Sequence, residues 1–487
     1  MKSNQVKGYP MIFGYLGVFM MLIGAITLLP LIVLFFDSSE IADAYYWIIP
    51  GVTSLVLGYL MSQTIRGKKP EKLERHQDAV LLVFIWILAI VISSLPLLLS
   101  GKYTLTQSLF EATSGYSTTG LTVVDVANAS KMLLLYRSIM QFIGGIGLVL
   151  ILTSTISDKY GMRLYHAEGH NDKLLPNLAR SARLILSMYT IYIILGTVSY
   201  MIFGVTFFDA INHAIASLST GGFSTHPESV GYYHSFPIEI ITIVLMLLGS
   251  TNMIIHLYII KGKFKKAFQH IETKLFVVLT IIFIGILWLT LTTHTGLFGL
   301  RTALFQYVSA ITTTGFQTIT SFQEMPYVFN FSVIILMIIG GQAGSTSGGI
   351  KQYRVGIMLK ELYWNIRDRL SHQRTIHTYD IMKFGKKYDI EPEDLYHNHS
   401  FIMVYLLTLM VGTSMFMFYG HSLESSLFEF SSSLGTVGLS IGIIGIETPA
   451  PLLWTSMIGM FIGRLEFFVV IIAFSSMILK ITKKKVL

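Results

Sequence analysis

The sequence of 487 residues has no cysteine and few charged residues. Without cysteine there is no disulfide bond, no thiolate metal site and no cysteine nucleophile. Charged residues make up 13% of the chain, against roughly 25% in an ordinary soluble domain. This scarcity excludes a water-soluble globular protein and leaves the hydrophobic residues, 53% of the chain, to define the protein class.

Long apolar runs occur along the whole chain, and the mean hydropathy is +0.63. A helix needs about 20 apolar residues to cross a hydrocarbon core of about 30 Å. The first run is too long for a secretory signal and no small-residue cleavage site precedes Asp37, so we expect it to be retained. The runs predict an all-α integral membrane protein whose spans lie at residues 11–36, 45–65, 78–100, 132–157, 184–206, 237–260, 275–296, 327–350, 400–420 and 452–479.

Nearly all basic residues fall on one side of these spans. Only Lys102, Lys131 and Arg301 would lie on the other side, and Arg137 and Arg464 fall in or near spans. The positive-inside rule makes the basic side cytoplasmic, so both termini are expected there. The net charge of +8 therefore has a membrane explanation, whereas nucleic-acid binding would need the same residues on one folded domain. Arg137 is interpreted as a side chain that reaches for the interface.

A short run of Ser, Thr and Gly interrupts the hydrophobic sequence four times, roughly every 100 residues. The runs align on one glycine each, and a large apolar residue follows every one of these glycines. They read Ser117-Thr118-Thr119-Gly120, Ser219-Thr220-Gly221-Gly222, Thr312-Thr313-Thr314-Gly315 and Gly435-Thr436-Val437-Gly438. Their flanks align as well, with Glu111, His213, Gln306 and Glu429 nine residues upstream. The pattern indicates an internal fourfold repeat.

Each run lies between two predicted spans, on the side poor in Lys and Arg. The apolar segment before it, such as 105–117, is too short to cross the bilayer and suits a re-entrant half-helix. Non-helical backbone survives at that depth only where protein or a water-filled cavity surrounds it, so we expect the four turns to meet around a polar axis. One run alone would be an ordinary loop turn, but four in register favour an ion filter.

The chemistry of such a filter depends on backbone carbonyls. Carbonyls that face the axis can replace the hydration shell of a cation, and glycine reaches the φ values that this needs. Half-helices would also direct their negative C-terminal ends at the ion. The predicted filter residues are Thr118, Thr119, Gly120, Thr220, Gly221, Gly222, Thr313, Thr314, Gly315, Thr436, Val437 and Gly438.

The run from Gly340 to Lys351 is too rich in Gly and Ser to continue a stable helix. It predicts that span 327–350 breaks into a mobile loop within the membrane, with a plain flexible linker as the alternative. A phosphate-binding loop is excluded because Ile350 separates the last glycine from Lys351. The predicted gate residues are Gly340, Gly344, Ser345, Gly348, Gly349 and Arg464.

Arg464 lies about 18 Å along the predicted span 452–479. A cation there costs roughly 2.5–3.5 kcal/mol on insertion scales, so something must compensate it. In one interpretation it faces the ion path below the filter and limits cation flow. In the other it pairs with Glu466 or a nearby carboxylate and has only a structural role.

On these residues the chain resembles the Trk/Ktr/HKT superfamily of potassium transporters, most closely its bacterial TrkH/TrkG branch. The resemblance covers nearly the whole chain. Besides the four runs it rests on motifs at 137–145, 219–225, 340–351 and 463–466. The two spans before the first run resemble the extra pair that this branch carries.

The resemblance implies a pore in pseudo-fourfold arrangement, made of four M1-P-M2 repeats after two extra N-terminal transmembrane helices. K⁺ is then the transported ion, passing carbonyls near the four aligned glycines, with no organic cofactor. It further implies a homodimer with one pore per protomer, a cytosolic TrkA-type nucleotide-binding regulatory ring, and a place in the bacterial plasma (inner) membrane. Gly120 stands where Na⁺-selective relatives carry Ser, which argues for K⁺. Asn212 and Gly221 make the second repeat the least regular.

The chain is accordingly divided into five parts. We expect a two-helix domain at 1–70 and repeats at 71–175, 176–268, 269–390 and 391–487. Within the third repeat, the polar segment from 351 onwards is interpreted as cytoplasmic helices and a partner surface, with a solvated connector as the alternative.

Three functions remain to be compared. A K⁺-conducting channel or channel-like transporter is favoured. A secondary transporter coupling K⁺ to Na⁺ or H⁺ is the alternative, although few ionisable residues lie deep in the spans to form a proton relay. An intramembrane enzyme would need a nucleophile–base or metal constellation inside the spans, and the sequence offers none.

Overall fold

The computed structural model describes residues 5–6, 8–66, 69–70, 76–147, 178–295, 299–372, 375 and 377–484. Over these residues the chain is mostly helical, as the composition predicts. The α-helices are α1 (Tyr9–Leu28), α2 (Tyr45–Ser62), α3 (Gln77–Leu99), α4 (Leu105–Tyr116), α5 (Lys131–Ile146), α6 (Leu178–Ile202), α7 (Phe207–Leu218), α8 (Phe236–Ser250), α9 (Met253–Ile260), α10 (Phe264–Phe268), α11 (Ile271–Thr295), α12 (Gly299–Ile311), α13 (Tyr327–Ile339), α14 (Gln352–Leu370), α15 (Pro392–Phe418), α16 (Leu423–Leu434), α17 (Ala450–Leu465) and α18 (Phe467–Lys484).

Five helical segments of the described part are long and apolar enough to cross a membrane. They are Tyr9–Phe35, Gln77–Leu99, Arg180–Ile202, Ile271–Thr292 and Pro392–Phe418. Two further predicted spans are bent rather than continuous, since α8 and α9 meet at 111° and α17 and α18 at 102°. The predicted spans 237–260 and 452–479 are therefore each divided into two helices.

Four apolar segments of the described part are interrupted by the end of a helix, and a positive backbone φ angle marks three of these breaks. α5 ends at Gly147 (φ 101°), α13 at Gly340 (φ 71°) and α17 at Glu466 (φ 64°). The fourth break is at Asn252, whose side chain accepts a hydrogen bond from the Ile254 amide and so caps α9. Predicted span 327–350 consequently stops as a helix at residue 339, and the predicted extension of 132–157 beyond 147 lies outside the described residues.

Four half-helices, α4, α7, α12 and α16, precede the glycine runs. Each has 12 or 13 residues, a length of about 18–20 Å that cannot cross the bilayer. Three begin with a hydroxyl cap, because Thr104, Thr206 and Ser422 each accept a hydrogen bond from the third amide of their helix.

Packing between the helices closes into a cycle. Each half-helix packs between two longer helices: α4 between α3 and α5, α7 between α6 and α8, α12 between α11 and α13, and α16 between α15 and α17. The helix that follows each run also packs on the next half-helix, α5 on α7, α8 on α12, α13 on α16, and α17 back on α4. The order of these contacts places the four glycine runs around one centre.

The N-terminal helices α1 and α2 form a close antiparallel pair beside this cycle. Gly17 packs against the Gly58 carbonyl, and Gly24 packs against the Gly51 carbonyl. Small residues let two helix backbones approach in this way. The pair packs on α3, whose Trp86 is almost fully buried.

The predicted helical segment after residue 351 is only partly helical. α14 is followed by an antiparallel hairpin of β3 (Asp380–Lys383) and β4 (Lys386–Asp389). Phe384 and Gly385 at its tip both have positive φ, which a tight turn requires. A second, two-residue ladder pairs β1 (Gln5–Val6) with β2 (Lys69–Pro70). The expectation of helices alone in this segment is corrected by the hairpin.

Candidate functional site

The four glycine runs have the same backbone conformation. The residue two before each aligned glycine is left-handed, with φ between 50° and 56° at Thr118, Thr220, Thr313 and Thr436. The aligned glycines have φ between 71° and 97°. In each run the amide before the glycine donates to the carbonyl five residues upstream, at 2.9–3.0 Å. A left-handed β-branched threonine is an outlier, and finding it four times indicates a selected geometry.

The aligned glycines form one closed ring. A Cβ on Gly120 would collide with the carbonyl oxygen of Gly221 in the next run. The same relation joins Gly222 to the Thr314 carbonyl, Gly315 to the Val437 carbonyl, and Gly438 back to the Thr119 carbonyl. Both the positive φ and the absence of space thus require glycine. All twelve predicted filter residues lie in this ring or directly beside it.

Residues that follow the glycines line a cavity of about 460 Å³. All four ring glycines contribute to its wall, together with charged groups such as Asp125 and Arg137. On the other side of the ring the space shrinks to about 30 Å³, lined by Gly348, Lys351 and Arg464 among others. The ring therefore separates a wide outer chamber from a narrow inner chamber directly beneath it.

Polar side chains from the half-helices bind the extended segments that follow the ring glycines. They come from the aligned positions nine residues before each glycine. Glu111 accepts from the Thr122 hydroxyl at 2.9 Å, His213 contacts the Ser224 hydroxyl at 3.0 Å, Gln306 donates to the Thr318 hydroxyl at 3.4 Å and Glu429 accepts from the Ser440 hydroxyl at 2.8 Å. Aligning the four runs within the sequence identified these positions but did not predict this role.

The interpretation of Arg137 as an interfacial side chain is wrong. It is 1% exposed, and its Nε donates to Glu111 Oε1 at 2.7 Å. Its Nη1 donates to the Ser224 carbonyl at 3.2 Å, and its guanidinium carbon lies 3.9 Å from the centre of the Phe223 ring. Arg137 therefore links the half-helix of the first run to the segment that follows Gly222 in the second, beside the outer cavity.

The loop from Gly340 to Ile350 crosses directly beneath the ring. The Gly348 amide donates to the Thr313 hydroxyl at 2.8 Å, and the Thr220 hydroxyl donates to the Thr346 hydroxyl at 3.0 Å. A Cβ on Gly348 would collide with the Thr436 hydroxyl. The loop therefore contacts three of the four left-handed threonines from below.

Buried polar groups bind Gln342 and Ala343, which we call the foot of this loop. The Ala343 amide donates to Glu272 Oε1 at 2.7 Å, and Asn252 Nδ2 donates to the Ala343 carbonyl at 2.6 Å. Gln342 Oε1 accepts from the Asn252 amide at 3.0 Å. Glu272 is fully buried. Sequence reasoning missed both Glu272 and Asn252, although a carboxylate at the start of an apolar span is a usable signal.

Arg464 lies where the break between α17 and α18 meets this loop. Its Nη1 donates to the Thr346 carbonyl at 2.5 Å, and its Nη2 donates to the carbonyls of Gly144 and Gly145 at 2.5 and 2.9 Å. The last carbonyls of α5, which carry partial negative charge, thus face the Arg464 guanidinium. Of the predicted gate residues, Ser345, Gly348, Gly349 and Arg464 line the small inner chamber.

The alternative pairing of Arg464 with Glu466 is not the one found. Glu466 accepts two hydrogen bonds from Arg354 Nη2, at 2.9 and 3.0 Å. The Arg354 guanidinium carbon also lies 3.8 Å from the centre of the Phe401 ring. The motif Gly463–Glu466 therefore contributes to two separate sites, one at the loop and one at α14.

The fold and the ring define the class: a helical membrane protein with glycine turns arranged around one axis. Within that class, the family model of TrkH, described as a cation transport protein, matches residues 51–480. The chain belongs to this family.

Known proteins similar to the chain come from archaea and bacteria. An uncharacterized cation transporter of Methanocaldococcus jannaschii is 29% identical over 96% of this chain and 95% of its own length. The Trk system potassium uptake protein TrkG of Escherichia coli is 30% identical over 83% of this chain and 85% of its own. The crystal structure of the potassium transporter TrkH from Vibrio parahaemolyticus superposes with a TM-score of 0.84, at 25% identity, over 95% of this chain and 98% of the other.

Proposed function

We propose that this protein takes up K⁺ through the glycine ring. The carbonyls of Thr119, Gly221, Thr314 and Val437 would replace part of the hydration shell of K⁺. The relatives named as potassium uptake proteins support the choice of ion. Gly120, at the position of the Ser of Na⁺-selective relatives, agrees with it.

The closed cycle of contacts among the four glycines carries this proposal. A cation needs oxygen ligands from several directions, and four equivalent turns in one ring supply them. The half-helices end at the ring, so their negative C-terminal ends stabilise a cation there. The wide outer chamber gives a hydrated ion access to the ring.

The second part of the proposal is that the loop at 340–349 is a gate and that its position beneath the ring is the closed one. It engages the hydroxyls of Thr220 and Thr313, whereas the buried hydroxyls of Thr118 and Thr436 have no hydrogen-bond partner among the described residues. Withdrawal of the loop would leave four hydroxyls facing the ion path. Arg464, bound to the loop at Thr346, adds a positive charge that opposes a passing cation.

The broader arrangement is proposed with it. Four M1-P-M2 repeats with the boundaries given above surround one pore per protomer. The protein would be a homodimer in a bacterial plasma membrane, with both termini cytoplasmic, and a TrkA-type nucleotide-binding ring would act on the loop from the cytosol. The start of α11 supports this, because Glu272 there binds the loop and Ile271 packs with Ile357 of α14 and Ile381 of the hairpin, so that all three elements lie on one side.

The test is K⁺ flux into proteoliposomes with and without an imposed Na⁺ or proton gradient. We expect flux down the K⁺ gradient alone. Strict dependence on either second gradient would instead establish the coupled transporter. The absence of K⁺ flux under every condition, from protein that is monodisperse in detergent, would contradict the proposal.

A further inference from the structure

The second run differs from the other three at the residue before the ring glycine. That position carries Thr119, Thr314 and Val437 in the other runs, and Gly221 in the second. Gly221 is not among the residues with positive φ. Backbone conformation therefore does not require a glycine here, and the reason must be space.

The space is filled by Gln141 from α5. A Cβ on Gly221 would collide with the side-chain amide of Gln141. This side chain is fully buried. Its Nε2 donates to the Gly221 carbonyl at 2.5 Å, and its Oε1 accepts from the Phe223 amide at 3.3 Å. One amide thus holds the peptide groups on both sides of Gly222.

The first and third runs use their own hydroxyls at this point, whereas Gly435 and Val437 of the fourth run have none. Thr119 bonds the Ser117 hydroxyl at 2.7 Å, and Thr314 bonds the Thr312 hydroxyl at 2.8 Å. In the second run Ser219 is present at the matching position, but Gly221 has no hydroxyl to meet it. Gln141 supplies from a neighbouring helix what the second run lacks.

The helices after the second and fourth runs carry apolar residues at this level. Gly144, Gly249 and Gly463 each pack against the carbonyl four residues before a ring glycine, which sets a common register. Three residues before them stand Gln141, Met246 and Met460, all fully buried. Of these three helices, α5 alone has a hydrogen-bonding side chain there.

We propose that Gln141 is a positioning residue for K⁺ selectivity, acting through the Gly221 carbonyl. This rests on the proposed function of the ring. The Gly221 carbonyl lies against Gly120 in the ring, and a carbonyl oxygen has two lone pairs, so one can accept from Gln141 while the other faces the ion. Without Gln141 the peptide can rotate, and the ring loses its fit to K⁺ on one side.

The experiment measures the K⁺/Na⁺ permeability ratio and the thermal stability of Gln141→Met, which copies Met246 and Met460. We expect the ratio to fall roughly fivefold to tenfold, the effect of losing one or two buried hydrogen bonds. Met246→Leu is the matched control and should keep the ratio. Gln141→Glu keeps the shape but removes the donor when ionised, and should lower the ratio as well.

A double variant separates positioning from packing. Gln141→Ala combined with Gly221→Thr gives the second run the hydroxyl pair of the first and third, with Ser219 as partner. Its ratio should exceed that of Gln141→Ala alone. If the single variants do not fold, a folded double variant with a wild-type ratio supports the role, and one with the ratio still lost overturns it. Failure of the double variant to fold also overturns it.

Gly438→Ser distinguishes failure of the inference about Gln141 from failure of the proposed function of the ring. If Gly438→Ser lowers the ratio but folded Gln141→Met does not, the inference about Gln141 is overturned and the filter stands. If neither changes the ratio, the proposed function of the ring fails first.

Discussion

The two sides of the glycine ring are built differently. Above it, a cavity of about 460 Å³ is walled by residues from all four runs. Directly below it, the space narrows to about 30 Å³ where a single loop from one part of the chain lies across the axis. The upper side follows the fourfold repeat, and the lower side breaks it.

This difference separates the residues proposed to select the ion from those proposed to control its flow. Groups above the ring, such as Glu111 and Glu429, are buried and bond their own run. Those below, such as Thr346 and Gly348, bond residues distant in the chain through a glycine-rich backbone. A symmetric part suits recognition of a spherical ion, while an asymmetric part can be moved without disturbing it.

Removing the loop should have the largest effect on this contrast. Deletion of 341–347 opens the lower side, and we expect K⁺ flux to rise about tenfold or more, as for a closed state favoured by a few kcal/mol. The measurement is flux per inserted protein in proteoliposomes, with the K⁺/Na⁺ ratio as control. Equal or lower flux from a correctly inserted deletion variant would make the loop a mere connector.

Arg464→Ala should weaken the same closure from the other side. It removes the hydrogen bonds to the carbonyls of Thr346, Gly144 and Gly145 and a charge that cannot be lost by deprotonation. We expect flux to rise roughly fivefold. The matched variant Arg354→Ala breaks a pair farther from the ring and should leave a smaller change. A large loss of thermal stability in Arg464→Ala without any gain in flux would favour a purely structural role.

Glu272→Gln sharpens the comparison at the foot of the loop. The amide keeps the shape and one oxygen acceptor for the Ala343 amide but removes the negative charge. We expect flux to increase about threefold, because a charge-assisted hydrogen bond becomes a neutral one. Glu361→Gln is the control, since Glu361 pairs with His399 away from the loop. Identical flux in both variants would show that the foot is not coupled to closure.

The smallest effect should come from the exposed Asp37–Lys131 pair, whose 2.7 Å contact joins the segment between α1 and α2 to the start of α5. Hydrogen bonds from Lys131 and Ser39 lower the pKa of Asp37 to about 2. The pair therefore stabilises the fold above the usual carboxyl range and loses this as the pH falls toward 2. Asp37→Asn should leave Tm at pH 7 nearly unchanged, since exposed pairs contribute little. A large fall in Tm would contradict this.

Sequence reasoning located the four runs because glycine is required there twice over, by φ and by space. The loop was equally visible, since a dense Gly and Ser run cannot continue a helix through an apolar segment. The family assignment is confirmed by the matched model. The assignment of filter and gate residues to their roles stays a prediction.

Several features could not be predicted because they depend on contacts distant in the chain. Arg137 has the sequence context of an interfacial residue, and its burial follows from contacts with Glu111 and with Phe223 and Ser224 of the second run. The bends at Asn252 and Glu466 carry no proline or glycine, so hydropathy alone favoured straight helices there. Gln141 acts on a run that lies 80 residues away.

The most direct measurement is the K⁺/Na⁺ permeability ratio of Gly120→Ser and Gly438→Ser, beside Gly204→Ser. Gly204 also has positive φ, at 88°, but nothing lies within 4 Å of a Cβ there, so this control carries the backbone strain without the collision. The ring account predicts a much lower ratio in both ring variants and an unchanged ratio in the control. Wild-type ratios in folded Gly120→Ser and Gly438→Ser would contradict it.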